Sequence, residues 1–421
     1  MVVVVVMIRA FFVALALALG VDAGPGPEPR EPKPTPVPRS VLAVFHEEVG
    51  PGSELARVDP LTLRQSGRSV RLANGSAWTT TLSPDRKTLA VSGGLGTATV
   101  ELVDLRRMRS RGFVDLVMSG GVTFLSWERD LFAVVDDYDR RAVVQIDPKT
   151  LKVQARHALD GPILQVKNGV RGQIVLLLGP RDGIGQLRLA VVGGKGITET
   201  SVPGLTGGAT TEGDGEDIRI RELIPALVVD EAGRRAFVYA KRTVVEISLD
   251  DLSATTHTLS EPVSVWGRLR NWLEPAAEAK IVEGYYRSGS WLGDGHFAVT
   301  GMDFAEHEGT AAGLSIIDTD AWTVRVLAEG GTELAVSGDD LLTFGYHENK
   351  GVRGYSLQGE PRFHLLRGQG AWVQLVGGLA YAQIGDGRRI AVIDPATGTK
   401  IAQADVDRPV MLIDDPPKLL G

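Results

Sequence analysis

The chain has 421 residues, enough for several ordinary domains or for one large repeat domain with a continuous core. Hydrophobic residues make up 43% and charged residues 23%, a globular balance; the net charge of −7 comes without any basic block, which argues against nucleic acid as a partner. There is no cysteine, so disulfides, cysteine-ligated zinc, thiol catalysis, thioether haem attachment and lipoprotein lipidation are all excluded.

Residues 1–23 are expected to be a signal peptide. Arg9 is the only charge before an apolar run over residues 10–19, which is signal-peptide length and too short to span a bilayer. Val21-Asp22-Ala23 offers small residues at the two positions a signal peptidase reads, so cleavage is expected after Ala23. The mature protein is then secreted or held at the cell surface. An uncleaved anchor is the alternative, because residues 2–19 are interrupted only by Arg9, and only that alternative brings in a membrane. Residues 24–39, GPGPEPREPKPTPVPR, alternate proline with other residues. Proline fixes φ and removes a donor, so this segment reads as an extended stalk or a plain disordered linker.

Residues 40–415 repeat one pattern, and residues 416–421 form a tail. A β-rich strand ends in an apolar residue and Asp, a turn follows, and a second strand leaves. The copies are ARVDPLTL (Asp59), VELVDLRRM (Asp104), VVQIDPKTL (Asp147), LSIIDTDAW (Asp318) and IAVIDPATG (Asp394). Ser248 and Ser356 replace the Asp in two further copies. An Asp carboxylate here accepts from the amides of the turn after it, so these residues read as structural. Two more short strands precede each hairpin, as in AWTTTL-SPDRK-TLAVSG. Four strands recurring roughly every 38 to 45 residues match a propeller blade. The expected fold is therefore an all-β propeller of four-stranded blades, eight by count with seven as the other solution. Two segments read as inserts, 204–221 and 263–284. The first repeat lacks an inner strand and RPVMLIDD near the C-terminus is a strand without a blade, so the ring is expected to close by that C-terminal strand.

The units over residues 143–152, VVQIDPKTLK, and 391–400, AVIDPATGTK, resemble the YVTN repeat of bacterial surface-layer and quinoprotein-like propellers. The resemblance implies a fold and a turn. It implies no particular activity, because propellers host many unrelated functions.

No motif names a chemistry. His46, His307 and His347 each sit beside glutamate after a second strand, but they belong to different repeats and read as charged loops. Asp136, Asp137 and Asp139 lack the distal Glu and Gly of a calcium loop. Trp78, Trp127, Trp291 and Trp372 read as wedges between blades. The starts of the inner strands, Glu333 and Tyr285-Tyr286-Arg287 among them, read as mostly apolar and scattered. The insert 263–284 carries Val265, Leu269, Trp272 and Leu273 on one helical face and is expected to form a short helix. Its Trp266, Arg268, Trp272 and Glu274 are the candidate partner-binding residues, tryptophan and arginine being enriched at binding hot spots. The expected function is a non-catalytic binding or scaffolding domain, monomeric, without a cofactor, for an unidentified protein or cell-surface ligand. A propeller enzyme, a quinone-dependent dehydrogenase or a lactonase- or lyase-like protein, is the alternative.

Overall fold

The computed structural model describes residues 33–46, 52–73, 77–93, 98–118, 120–137, 140–194, 196–212, 219–260, 284–305, 308–327, 330–345 and 351–415. Every strand of the described residues lies within Pro34–Gly421. The repeated hairpins fold as antiparallel meanders. One runs Ala77–Leu82, Thr88–Gly93, Thr99–Asp104, Arg109–Asp115 in both chain and sheet order. Four others of the same kind begin at Gly121, Ala226, Glu333 and Ala371.

A sixth four-stranded sheet joins the two ends of the repeat region. Its order is Gln65–Leu72, Ser53–Val58, Val41–His46, Val410–Asp414, and the last pair is antiparallel with Val41 opposite Asp414 and Phe45 opposite Val410. The C-terminal strand thus supplies the inner strand of the first sheet.

Burial explains the order of strands within a sheet. Second strands are buried on both faces, as in Leu131–Asp136 and Ile174–Leu178, and their sequences are unbroken apolar runs. Outer strands alternate, as in Lys152–Leu159, where only every other residue leaves solvent. Inner strands such as Ile163–Asn168 and Glu333–Ser337 are half-buried almost throughout. Apolar clusters knit each sheet to the next. Leu42, Val44 and Leu55 pack with Leu89 and Val91, and Val41 and Ala43 pack with Tyr381 and Val392 on the other side. The molecule is a β-propeller.

The blade count departs from the expected eight, or seven, equal units. Six four-stranded blades stand as separate sheets, and one sheet has ten strands. Its main path runs Ile163–Asn168, Ile174–Leu178, Ile184–Gly193, Gly196–Glu212, Arg219–Ile224, Gly284–Gly293, His296–Ala305, Leu314–Asp318, Thr323–Leu327, with Glu308–Ala311 paired to His296–Ala305. The cause is strand length. Gly196–Glu212 is 17 residues long and outruns a blade, so it pairs first with Ile184–Gly193 and then with Arg219–Ile224. The latter then runs parallel to Gly284–Gly293, Leu223 opposite Tyr285 and Ile224 opposite Tyr286. Residues 204–212, expected in an insert, are part of this sheet.

The expected helical insert is also corrected. Among the described residues the only helical element is the three-residue 3-10 turn Val170–Gly172, and Gly284, the last residue assigned to the insert, starts a strand. Residues 263–283 lie outside the described residues. No helix of the described residues is long and apolar enough to cross a membrane.

The repeated Asp closes its turn locally. Thr62 and Leu61 amides donate to Asp59, Arg107 to Asp104, Lys149 to Asp147, Asp320 and Ala321 to Asp318, and Ala396 to Asp394. These amides, with Thr62 leading at Asp59 and Lys149 at Asp147, hold the two carboxyls below their ordinary range. Four residues after each Asp the chain turns left-handed: Leu63, Met108, Leu151 and Trp322 take φ of 48° to 57°, where glycine, as at Gly398, carries no Cβ penalty. The end of the proline-rich segment is tied to the last such turn. The Thr35 hydroxyl and amide donate to Asp394 at 2.7 and 3.2 Å.

Candidate functional site

The inner strand Gly284–Gly293 meets Arg219–Ile224 only at Tyr285 and Tyr286, and past that short ladder its carbonyls need other donors. In the strand Gly284–Gly293 two of them are met by side chains of the inner strand Ile163–Asn168. Gln165 Nε2 donates to the Arg287 carbonyl at 3.1 Å, and Lys167 Nζ donates to the Gly289 carbonyl at 3.0 Å. The spacing of two on both strands puts donors and acceptors on matching sides of the two pleats. Gly289 makes the approach feasible on its other flank, because a Cβ there would meet Val228 at 2.5 Å.

A third inner strand completes the group. Glu333 begins the strand Glu333–Ser337, and its carboxyl hydrogen-bonds the Tyr286 phenol, which also bonds Gln165 and Ser288. Gly331 sets this strand's entry: a Cβ on it would collide with the backbone of Phe344, and the Thr300 hydroxyl donates to its carbonyl at 2.5 Å. Beside the cluster Arg287 donates to the Met302 carbonyl and to Asp303, each at 2.6 Å, and its guanidinium lies 5.3 Å from the centre of the Tyr285 ring.

Burial sets the electrostatics. It raises Glu333 to about 7, against the pull of the Lys167 charge and the Tyr286 hydrogen bond. It lowers Lys167, against the charge of Glu333. It raises Tyr286 to about 12, helped by the negative charge of Glu333. The site therefore holds an ammonium, a carboxyl poised near neutrality, a phenol and an amide, all half-buried and all on inner strands.

Glu333 makes a pH dependence. Its folded-state value lies above the ordinary 4.5, so the folded chain holds that proton more tightly than the unfolded chain. The stabilisation is full below the ordinary value and is lost as the pH rises through about 7. Glu333→Gln is expected to remove this slope, so that the variant gains on the parent by about 1–3 kcal/mol above neutrality. Urea unfolding at acid and alkaline pH measures it; parallel profiles for the two proteins would show Glu333 to be solvated.

Trp266, Arg268, Trp272 and Glu274 lie outside the described residues, as do His307, His347 and Asp139. His46 is buried at the end of its strand with the Ser53 hydroxyl 3.4 Å from Nδ1, and burial lowers its pKa to about 4. Asp136 pairs with Arg141 at 2.8 Å. Among the described residues no group of three or more His, Asp or Glu could hold a metal ion. Trp127 and Trp291 are wedges between sheets, but Trp372 is 43% exposed and meets Phe344 edge-on at 5.6 Å. Glu333 and Tyr286, read from sequence as scattered, come together. Gln165 and Lys167 are not among the sequence-derived candidates; their signal is two polar residues at alternate positions in the inner strand ILQVKN.

Comparison with known proteins supports the fold. The dihydro-heme d1 dehydrogenase NirN, solved in complex with DHE, aligns over 92% of this chain and 78% of its own at 14% identity, with a TM-score of 0.54. AztD of Citrobacter koseri aligns over 89% and 97% at 9% identity, with a TM-score of 0.48. A Bacteroides fragilis protein assigned as a 6-phosphogluconolactonase aligns over 91% and 100% at 12% identity, with a TM-score of 0.42. No family model matches the chain, the YVTN repeat included, and no curated protein matches it. At these identities the likeness to NirN shows a shared propeller fold and nothing of activity.

Proposed function

We propose that this protein is an exported β-propeller that binds a small polar ligand between its inner strands without transforming it. The cluster of Gln165, Lys167, Tyr286 and Glu333 carries this reading. Three different inner strands converge hydrogen-bonding groups of both charge signs on one half-buried place, as a specific polar site requires. Gln165, Lys167 and Tyr286 are anchored to backbone or to one another. That arrangement aims fixed donors and acceptors at a ligand and suits recognition better than proton transfer to a nucleophile. Export is supported by the leader over residues 1–23 and the proline-rich segment after it. Kinship with YVTN-type propellers is supported by the Asp turn, in which Thr62, Thr150 and Thr397 hydroxyls donate to Asp59, Asp147 and Asp394.

Thermal-shift screening of the full mature chain against sugars, amino acids, polyols and small carboxylates tests the binding site. A ligand that binds only the folded state raises the melting temperature by mass action. Lys167→Met and Glu333→Gln are each expected to abolish the shift. A ligand whose shift survives both changes binds elsewhere and ends this assignment. For export, N-terminal sequencing of protein recovered from the medium is expected to begin at Gly24; an intact leader would move the protein to the anchored class.

A further inference from the structure

Lys167 and Glu333 feel each other's charge, yet among the ion pairs of the described residues theirs is not one. Lys167 spends one of its three ammonium donors on the Gly289 carbonyl, and Glu333 bonds the Tyr286 phenol. Opposite charges are therefore held apart on separate inner strands, with donors and acceptors left over at each end. A ligand with one charge would match one end and strip water from the other without compensation. A ligand carrying both charges a short distance apart matches both.

We infer that the inner-strand site takes a zwitterion of the α-amino-acid class, its carboxylate toward Lys167 and Gln165 and its ammonium toward Glu333 and Tyr286. The inference rests on the reading of this cluster as a binding site. The ligand is small, since Gln165 and Lys167 span directly from one strand to the carbonyls of another.

Isothermal titration of the full mature chain tests this, with the common L-α-amino acids as probes and propionate and propylamine as one-armed controls. At least one amino acid is expected to bind and neither control to bind at the same concentrations. Lys167→Met and Glu333→Gln are each expected to weaken that amino acid at least tenfold, about the loss of one charge-assisted contact. Circular dichroism checks that each variant is folded, and the controls on the unmodified chain decide the question if one is not. Propionate or propylamine binding as tightly as the amino acid overturns the inference. So does a neutral sugar that binds at this cluster where no amino acid does, although the site itself would then stand. If no probe of any class responds to either substitution, the binding-site reading fails with it.

Discussion

A chain ending at Asp407 is expected to lose on the order of 5 kcal/mol or more and to unfold without a single sharp transition. The missing strand buries Val410 and Leu412 in the cluster with Val41, Val58, Tyr381 and Val392, and packs Met411 and Ile413 against Leu42 and Leu89. Its loss also removes the antiparallel ladder to Val41–His46, the Asp415 bonds to Ser40 and Arg57, and the Arg408 contacts with Glu54 and the Phe45 ring. With it gone, Val41–His46 becomes an open inner edge, and the first and last sheets lose the packing that joins them. Urea denaturation followed by tryptophan fluorescence and circular dichroism measures the effect. A truncated chain with the same midpoint as the parent would show that the ring is held by other contacts.

Phe237→Ala is expected to cost about 3–5 kcal/mol, the usual range for a fully buried aromatic. Phe237 is 0% exposed and stacks on Trp291 at 5.6 Å with 4° between the rings, and on Phe297 at 5.4 Å. Arg235 lies over the same pair, 5.2 Å from the Phe237 ring and 5.9 Å from that of Trp291, while bonding Asp230 and Glu246. Trp291 belongs to the strand that carries Tyr286 and Arg287, so the loss reaches the candidate site through Gly284–Gly293. The variant is expected to show weaker ligand-induced thermal shifts as well as a lower midpoint. A drop below about 1 kcal/mol would mean that Trp291 and Phe297 close over the vacated space.

Local pattern determined much of this molecule. The apolar-Asp-turn repeat, read from residues two to four apart, announces antiparallel hairpins, because the Asp carboxylate and the turn amides that satisfy it lie within one short segment. The all-β class, and a closing strand at the C-terminus, follow from strands with no partner nearby in sequence. Tertiary structure decided the rest. The 17-residue strand that fuses two repeats into a ten-stranded sheet depends on Leu223 and Ile224 meeting Tyr285 and Tyr286, some sixty residues on. The candidate site depends on three inner strands arriving side by side: Lys167 on one, Tyr286 on another, Glu333 on a third. In the sequence each is one polar residue in a short strand of mixed character, indistinguishable from a solvated one. Its neighbours, and hence its charge state, exist only once the ring has closed and burial has removed the water around it.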